Sequence, residues 1–323
     1  MADDTRSLGG LGSGIPLILA TLLSWASIPL FLTFFARPDA VTGVALIDAW
    51  TANGWRYGIS AVFWLPLLLL SWKRGKLPAG ILTAALVPTA FNAVGQTLFA
   101  WCPYYLDPGF FTFVFRVQIV FVALGAWLLF PQERAVLKSP RFWLGIALVV
   151  FGSVGLVLLG SNGLAVPQKA FAIAIAIGSG AMFAGYGLAV RYYMKPYPAV
   201  LAFGVICQYT AILVVITMLI MGRERGADVL SFSGFNWFML VSSSLIGIAV
   251  SHVTYYAALQ RLGIAVSMGI IQLQPVFTAS ASMVIFGEQL NAGQWTAGLI
   301  GVVGALLILS VKPPARVETP AGG

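Results

Sequence analysis

Apolar runs of about 18 to 23 residues recur ten times along the chain, near 14–36, 50–72, 79–101, 108–129, 142–160, 170–192, 198–221, 236–258, 265–286 and 293–311. Each is the length a helix needs to cross a hydrocarbon core of ~30 Å at ~1.5 Å per residue. Lipid offers no partner to an unpaired backbone group, so such runs must close their hydrogen bonds within themselves, as helices do. The composition agrees, with 59% hydrophobic and 9% charged residues and a mean hydropathy of +0.93, against roughly 25% charge in soluble domains. The fold class read from this pattern is an all-α integral membrane protein of ten transmembrane helices.

The connections between runs are short and leave no separate domain for an enzyme activity. The sequence also shows no HExxH, no GxSxG in a strand-turn-helix setting, no phosphate loop and no Cys/His cluster. Cys102 and Cys207 imply neither a disulfide framework nor a metal site. The expectation is therefore no enzyme, no cofactor and no metal.

A net charge of +8 raises the question of nucleic acid, and the placement of the charges answers against it. With the N-terminus inside, one set of loops carries Arg6, Lys73, Arg74, Lys76, Arg134, Lys138, Arg141, Arg191, Lys195, Arg261, Lys312 and Arg316, and the opposite set only Arg37, Lys169, Arg223 and Arg225. This asymmetry orients the chain with both ends in the cytoplasm. The first apolar run shows no small-residue cleavage site and is read as a retained helix. Trp55, Arg56 and Tyr57 lie near the outer boundary at the start of the second run, where aromatic belts and snorkelling arginines are common, and Arg56 reads as an interfacial anchor rather than a ligand.

A shift of 156 residues lays 93–130 on 249–286 without a gap, with eight identities in 38 positions. The polar positions carry more weight than the identities. Gln96 meets His252, Phe99 meets Tyr255, Arg116 meets Gln272, and Gln118 meets Gln274. Each half then has five spans, an odd number, so the second half enters the membrane inverted, with Glu133 inside and Glu288 outside. Inverted repeats suit alternating access around a site near the midplane. The expected division is a tail at 1–13, a five-helix unit at 14–160, a linker at 161–169, a second five-helix unit at 170–311 and a tail at 312–323, with the short polar tails read as disordered.

Polar side chains inside spans are costly, so they are expected to face the bundle interior. Asn92, Gln96 and Phe99 share one helix face at spacing i, i+4, i+7. Arg116 sits roughly 12 Å from the outer end of its span by helical rise, too deep to snorkel. All ten acidic residues fall in tails, loops or helix ends. Arg116 is thus expected either to receive a carboxylate or phosphate from a substrate, or to be held by loop carbonyls or Asp107. Gln118, two residues on, is turned away from the face of Arg116. His252, Tyr255 and Tyr256 share a face, and His252 is the side chain available for proton coupling. Pro29 in the first span and Pro275 in the ninth each break the hydrogen-bond ladder of their helix. Glycines 145, 152 and 155, and 298, 301 and 304, mark the fifth and tenth spans as closely packed helices.

The segment AALQRLGIAVSMGIIQLQPVFTASASMVIFGEQLNAGQWTAGLIGVVGALLIL, residues 257–309, resembles the closing unit of the EamA-type branch of the drug/metabolite transporter superfamily. The resemblance rests on Gln274-Pro275 within the ninth span, Gly287-Glu288 at its end and the glycine-spaced last helix. The first half resembles the same unit more loosely through 127–159, with Pro131-Gln132-Glu133 where the pattern has Gly-Glu. This implies two five-helix inverted repeats around a central cavity walled by the first, third, fourth, sixth, eighth and ninth spans. It also implies an exporter of small amphipathic metabolites, amino acids foremost, in a bacterial inner membrane, with an amphipathic-drug or lipid efflux protein as the alternative. The candidate substrate-binding residues are Trp25, Gln96, Phe99, Trp101, Arg116, Gln118, Phe183, Tyr186, His252, Tyr255, Tyr256, Gln272 and Gln274. The expected partners are a small-molecule substrate and the bilayer, with no nucleic acid and a monomer or weak dimer.

Overall fold

The computed structural model describes residues 4–38, 43–131, 138–159, 166–262 and 264–311, with backbone alone for 4–13, 166–167, 259–260 and 264–266. Glu133, the 161–165 part of the expected linker and the tail 312–323 lie outside the described residues. The described chain is helical throughout: α1 (Asp4–Ala36), α2 (Ala49–Lys73), a single turn α3 (Ile81–Ala84), α4 (Leu86–Trp101), α5 (Pro108–Phe115), α6 (Gln118–Leu129), α7 (Pro140–Leu159), α8 (Val166–Ala189), α9 (Ala199–Met221), α10 (Gly234–Ser244), α11 (Ser251–Leu262), α12 (Ile264–Ile271), α13 (Gln274–Phe286) and α14 (Ala292–Ser310). A π-helical segment, Leu245–Val250, joins α10 to α11. The helix α1 begins at Asp4, so most of the expected N-terminal tail is helical rather than disordered.

Among the described residues nine helical stretches are long and apolar enough to cross a membrane. The α2 helix, 25 residues long, falls outside those nine because Arg56 and the ring-bearing residues around it dilute its hydropathy. Its start is nonetheless firmly fixed. The Asp48 carboxylate accepts from the amides of Trp50 (2.9 Å), Thr51 (3.1 Å) and Arg223 (2.8 Å), satisfying N–H groups that a helix start leaves unpaired. The α14 helix begins with a reciprocal Asn291–Gln294 capping box.

Two of the expected spans are interrupted. Between α5 and α6 the amide of Val117 donates to Val114 O (3.2 Å) and that of Val120 to Val117 O (2.9 Å); between α12 and α13 Leu273 donates to Ile270 O (3.1 Å) and Val276 to Leu273 O (3.0 Å). These are tight i→i+3 turns, and the second pair lies 156 residues after the first, the offset of the sequence repeat. Proline accompanies only the second break, at position 275, so the first was not visible in the sequence.

The helices pair across the two halves: α1 with α11, α4 with α8, α2 with α9, α5 with α13, and α7 with α14. The α5 and α13 helices run antiparallel, because the Glu288 carboxylate beyond the end of α13 accepts from the amides of Gly109 and Phe110 at the start of α5, both at 2.9 Å. Burial raises the Glu288 carboxyl above its ordinary value, and the two amide donors work against that shift. A side chain at Gly109 would strike Ala279 and this carboxylate. The α7–α14 pair is tighter still. A Cβ at Gly152 would lie 2.6 Å from Ala297 O and Gly301 N, and one at Gly145 would lie 2.7 Å from Gly304 O. The small-residue stripes thus meet backbone to backbone, as their spacing predicts.

Gly152→Val should destabilise the detergent-solubilised protein by about 3 kcal/mol, since neither backbone can yield to the added methyls. Gly155→Ala, whose Cβ meets only the Ala297 methyl at 3.3 Å, should cost far less. Equal thermal-unfolding midpoints for the two variants would contradict this packing.

Candidate functional site

Proline lacks the N–H that a helix uses to satisfy the carbonyl four residues earlier. In α1, Pro29 leaves Trp25 O unserved by the helix, and Gln274 Nε2 on α13 donates to it at 2.9 Å. In α13, Pro275 leaves Ile271 O unserved in the same way, and Arg116 Nη1 donates to it at 3.4 Å. The two donors are themselves joined, with Arg116 Nη2 donating to Gln274 Oε1 at 2.6 Å and Nη1 reaching Gln272 Oε1 at 3.4 Å. Thr278 adds a hydroxyl bond to Ala26 O at 3.0 Å. The result is one polar knot at the crossing of the two broken helices with α1.

Arg116 is 6% exposed, and its Nε has no acceptor among the described residues. Its partners are two amide oxygens and a carbonyl. A backbone carbonyl does accept from it, but the one at the break in the ninth span rather than one in an outer loop, and Asp107 is not among its partners in the described residues. The residue that overlays Arg116 in the repeat, Gln272, is one of its acceptors.

Most of the other candidates attach to this knot. The Trp25 ring contacts those of Tyr255 (centroids 4.8 Å apart) and His252 (5.6 Å), and Tyr255 contacts Tyr256 (5.8 Å). The hydroxyls of Tyr256 and Tyr186 lie 3.4 Å apart. On the opposite side the Arg116 guanidinium stands over the Phe115 ring at 5.6 Å, and Phe115 packs edge to face with Phe99 and Phe183. Gln96 is buried on α4 one turn before Phe99. His252 stacks flat on Phe203, centroids 4.5 Å apart, with Nδ1 3.0 Å from Ile248 O. This places Nδ1–H as the donor, since a carbonyl only accepts.

Two candidates stand apart. Trp101 joins Trp50, Tyr104 and Tyr105 at the end of α4. Gln118 lies against α8, where a Cβ at Gly180 would sit 3.4 Å from its own Cβ, in line with its position on the far side of the helix from Arg116. Asn92, on the same face as Gln96, donates to Tyr57 Oη (3.1 Å) and Thr210 Oγ1 (3.0 Å) and packs α4 against α2 and α9. A shallow apolar depression of about 290 Å³ lies on the α7–α14 pair, lined by Leu148, Thr296, Leu299, Ile300 and Val303, and none of the candidates borders it.

One expectation is corrected outright. Arg56 is not an interfacial anchor: it is fully buried, with Nε donating to Ser243 Oγ at 2.6 Å. Its position near the start of an aromatic-rich helix suggested the boundary, whereas α10 and the π-helical segment cover it. Phe115 and Phe203, which flank Arg116 and His252, were also missed. The aromatic run Phe110, Phe111, Phe113 and Phe115 beside Arg116 was the available signal for the first.

Comparison with known proteins now bears on these features. Residues 170–310 match the model of the EamA-like transporter family. This stretch is similar to an EamA-like transporter unit. It contributes α11, α12 and α13, and with them His252, Gln272 and Gln274. The fold of the whole is similar to a solved crystal structure that superposes with a TM-score of 0.61 over 92% of this chain and 97% of that one, at 14% identity. No match was found among curated protein sequences. With nine helical stretches long and apolar enough to cross a membrane among the described residues, the chain is a multi-pass membrane protein whose residues 170–310 are similar to a transporter family.

Gln274→Leu should cost about 1–3 kcal/mol by leaving both Trp25 O and Arg116 Nη2 without a partner. Pro29→Ala supplies the helical N–H that Trp25 O lacks, so it should recover more stability in the Gln274→Leu background than in the parent. Equal gains in the two backgrounds, read from thermal unfolding in detergent, would show that Gln274 does not serve that carbonyl.

Proposed function

We propose that the protein exports small amphipathic carboxylates, amino acids foremost, across a bacterial inner membrane by alternating access, with Arg116 receiving the carboxylate. The observation that carries this reading is a buried guanidinium at a double helix break, held by neutral oxygens alone. Two of its three bonds are long, at 3.4 Å. A carboxylate makes shorter, charge-assisted bonds to arginine, so a substrate can displace the Gln272 amide oxygen without leaving Arg116 or Ile271 O unsatisfied. The aromatic rings of Trp25, Tyr255, Tyr256, Phe99 and Phe183 then offer the apolar surface for the rest of the solute.

Alternating access is supported by an inverted relation between the halves, which we take as two five-span repeats with α2 counted as a span. The packing pairs are reciprocal: α1 with α11 and α4 with α8 exchange under the relation, as do α6 with α8 and α1 with α13, while α2 with α9 and α7 with α14 map on themselves. The ends show the same exchange. Arg37 after α1 stands over Phe286 at 4.3 Å, and Arg191 after α8 stands over Phe130 at 4.0 Å, where Phe130 and Phe286 are 156 residues apart. Two matched contacts at opposite ends suit a protein that opens one side at a time. In this orientation both termini are cytoplasmic.

The test is counterflow of labelled amino acids in proteoliposomes. Saturable uptake into amino-acid-loaded vesicles is expected, and Arg116→Gln should lower the apparent affinity for carboxylate solutes by about 10-fold or more while sparing neutral amides. Uptake of an amphipathic amine or a labelled lipid with none of any amino acid would replace this reading with a drug or lipid efflux protein. A pH-jump comparison of His252→Gln with the parent separates proton-coupled from facilitative export.

A further inference from the structure

A second guanidinium in the bundle is less well satisfied than Arg116. Arg56 is 0% exposed, its Nε is spent on the neutral hydroxyl of Ser243, and neither terminal nitrogen has an acceptor among the described residues. Three residues earlier on the same helix face, Asn53 is 2% exposed, and both its amide oxygen and its amide nitrogen lack a partner among the described residues. A guanidinium kept for structure normally has its donors filled, because a buried charge without hydrogen bonds is expensive. Here the filled position is the side-on one, and the two-pronged end that matches a carboxylate has no acceptor among the described residues.

The wall facing this end is adapted to it. The Arg56 tip points at Gly247, where a Cβ would lie 3.4 Å from Nη2 and 2.8 Å from the Ile28 side chain. Gly247 belongs to the π-helical segment Leu245–Val250, and such irregularities inside helices are frequent at functional sites. Ser60, one turn further along α2, anchors the segment by donating to Ser244 O at 3.0 Å. The group lies roughly 10 Å along α2 from its first residue, as seven residues at the helical rise require.

We propose that Arg56 and Asn53 form a second anion site, separate from Arg116, that takes the carboxylate of the transported solute. The guanidinium holds the carboxylate through Nη1 and Nη2, and the Asn53 amide meets a polar group beside it, its oxygen suited to an ammonium or hydroxyl. The identity of the ligand as the transported solute rests on the export reading above; the anion site itself does not. In the proposed orientation the site lies near the outer end of the bundle, a place for the solute to pass on its way out.

The experiment titrates phenylacetate into the purified full-length protein and follows the unfolding temperature, with phenylacetamide and chloride at matched ionic strength as controls. In an Arg116→Gln background, which removes the first carboxylate site, the protein should still show a saturable rise with phenylacetate alone. Added to that background, Arg56→Gln should raise the apparent Kd by about 10-fold or more, and Arg56→Lys, which keeps the charge and loses the fork, should raise it severalfold. Asn53→Ala provides an independent reading if Arg56→Gln fails to fold, and should weaken binding of phenylalanine more than that of phenylacetate, which lacks the ammonium. An unchanged Kd in folded Arg56→Gln or Arg56→Lys, an equal rise with chloride or the amide, or loss of binding in Arg116→Gln alone would overturn the site. None of those results touches amino-acid counterflow, and absent counterflow with an intact Arg56-dependent rise would sink the export reading while leaving the anion site standing.

Discussion

A carbonyl that a proline deprives of its helical donor cannot be left bare in hydrocarbon, and two such carbonyls organise the centre of this protein. Trp25 O and Ile271 O each face the partner helix and are met by Gln274 and Arg116, which then bond to each other. Three separate requirements therefore close on one another. The proline in α1 is tolerated because Gln274 reaches it, Gln274 is fixed because it also accepts from Arg116, and the buried charge of Arg116 is tolerated because a broken helix supplies an oxygen. Removing any member leaves the others with unmet polar atoms in a low-dielectric interior, where such atoms are costly.

Around that knot the molecule is held by apolar contact of two kinds. At α7–α14 glycine allows backbones to touch, giving a rigid pair. Near the centre, α4, α5 and α8 meet through phenylalanine rings packed edge to face. Ring packing of this sort can be exchanged for contact with an aromatic or aliphatic solute at little loss, whereas backbone contact cannot. The packing thus differs in kind between the surroundings of Arg116 and the α7–α14 pair.

Much of this was legible in the chain itself. Ten apolar runs, the charge asymmetry and the glycine stripes led to a helical membrane bundle, and Gln274-Pro275 pointed to a break in the ninth span. The overlay at 156 residues brought Arg116 and Gln272 to equivalent positions, and the fold makes them neighbours. What the sequence did not disclose depended on long-range contact. The break between α5 and α6 has no proline to announce it. Arg56 looked interfacial because its local surroundings are aromatic, and only the packing of α10 and the π-helical segment shows it to be buried. Trp101 was grouped with the other aromatic candidates, yet it belongs to an aromatic group at the helix end, since residue type alone does not fix depth.

The measurement that bears most directly on the central knot is a double-mutant cycle between Arg116 and Gln274. Unfolding free energies of Arg116→Leu, Gln274→Leu and the double variant would be compared with the parent under one detergent condition. If the two side chains act as one unit, the double variant is about as stable as the worse single variant, a departure from additivity of about 1–2 kcal/mol. Additive losses would mean that each residue is held by something else, and that the knot is not what joins the two broken helices.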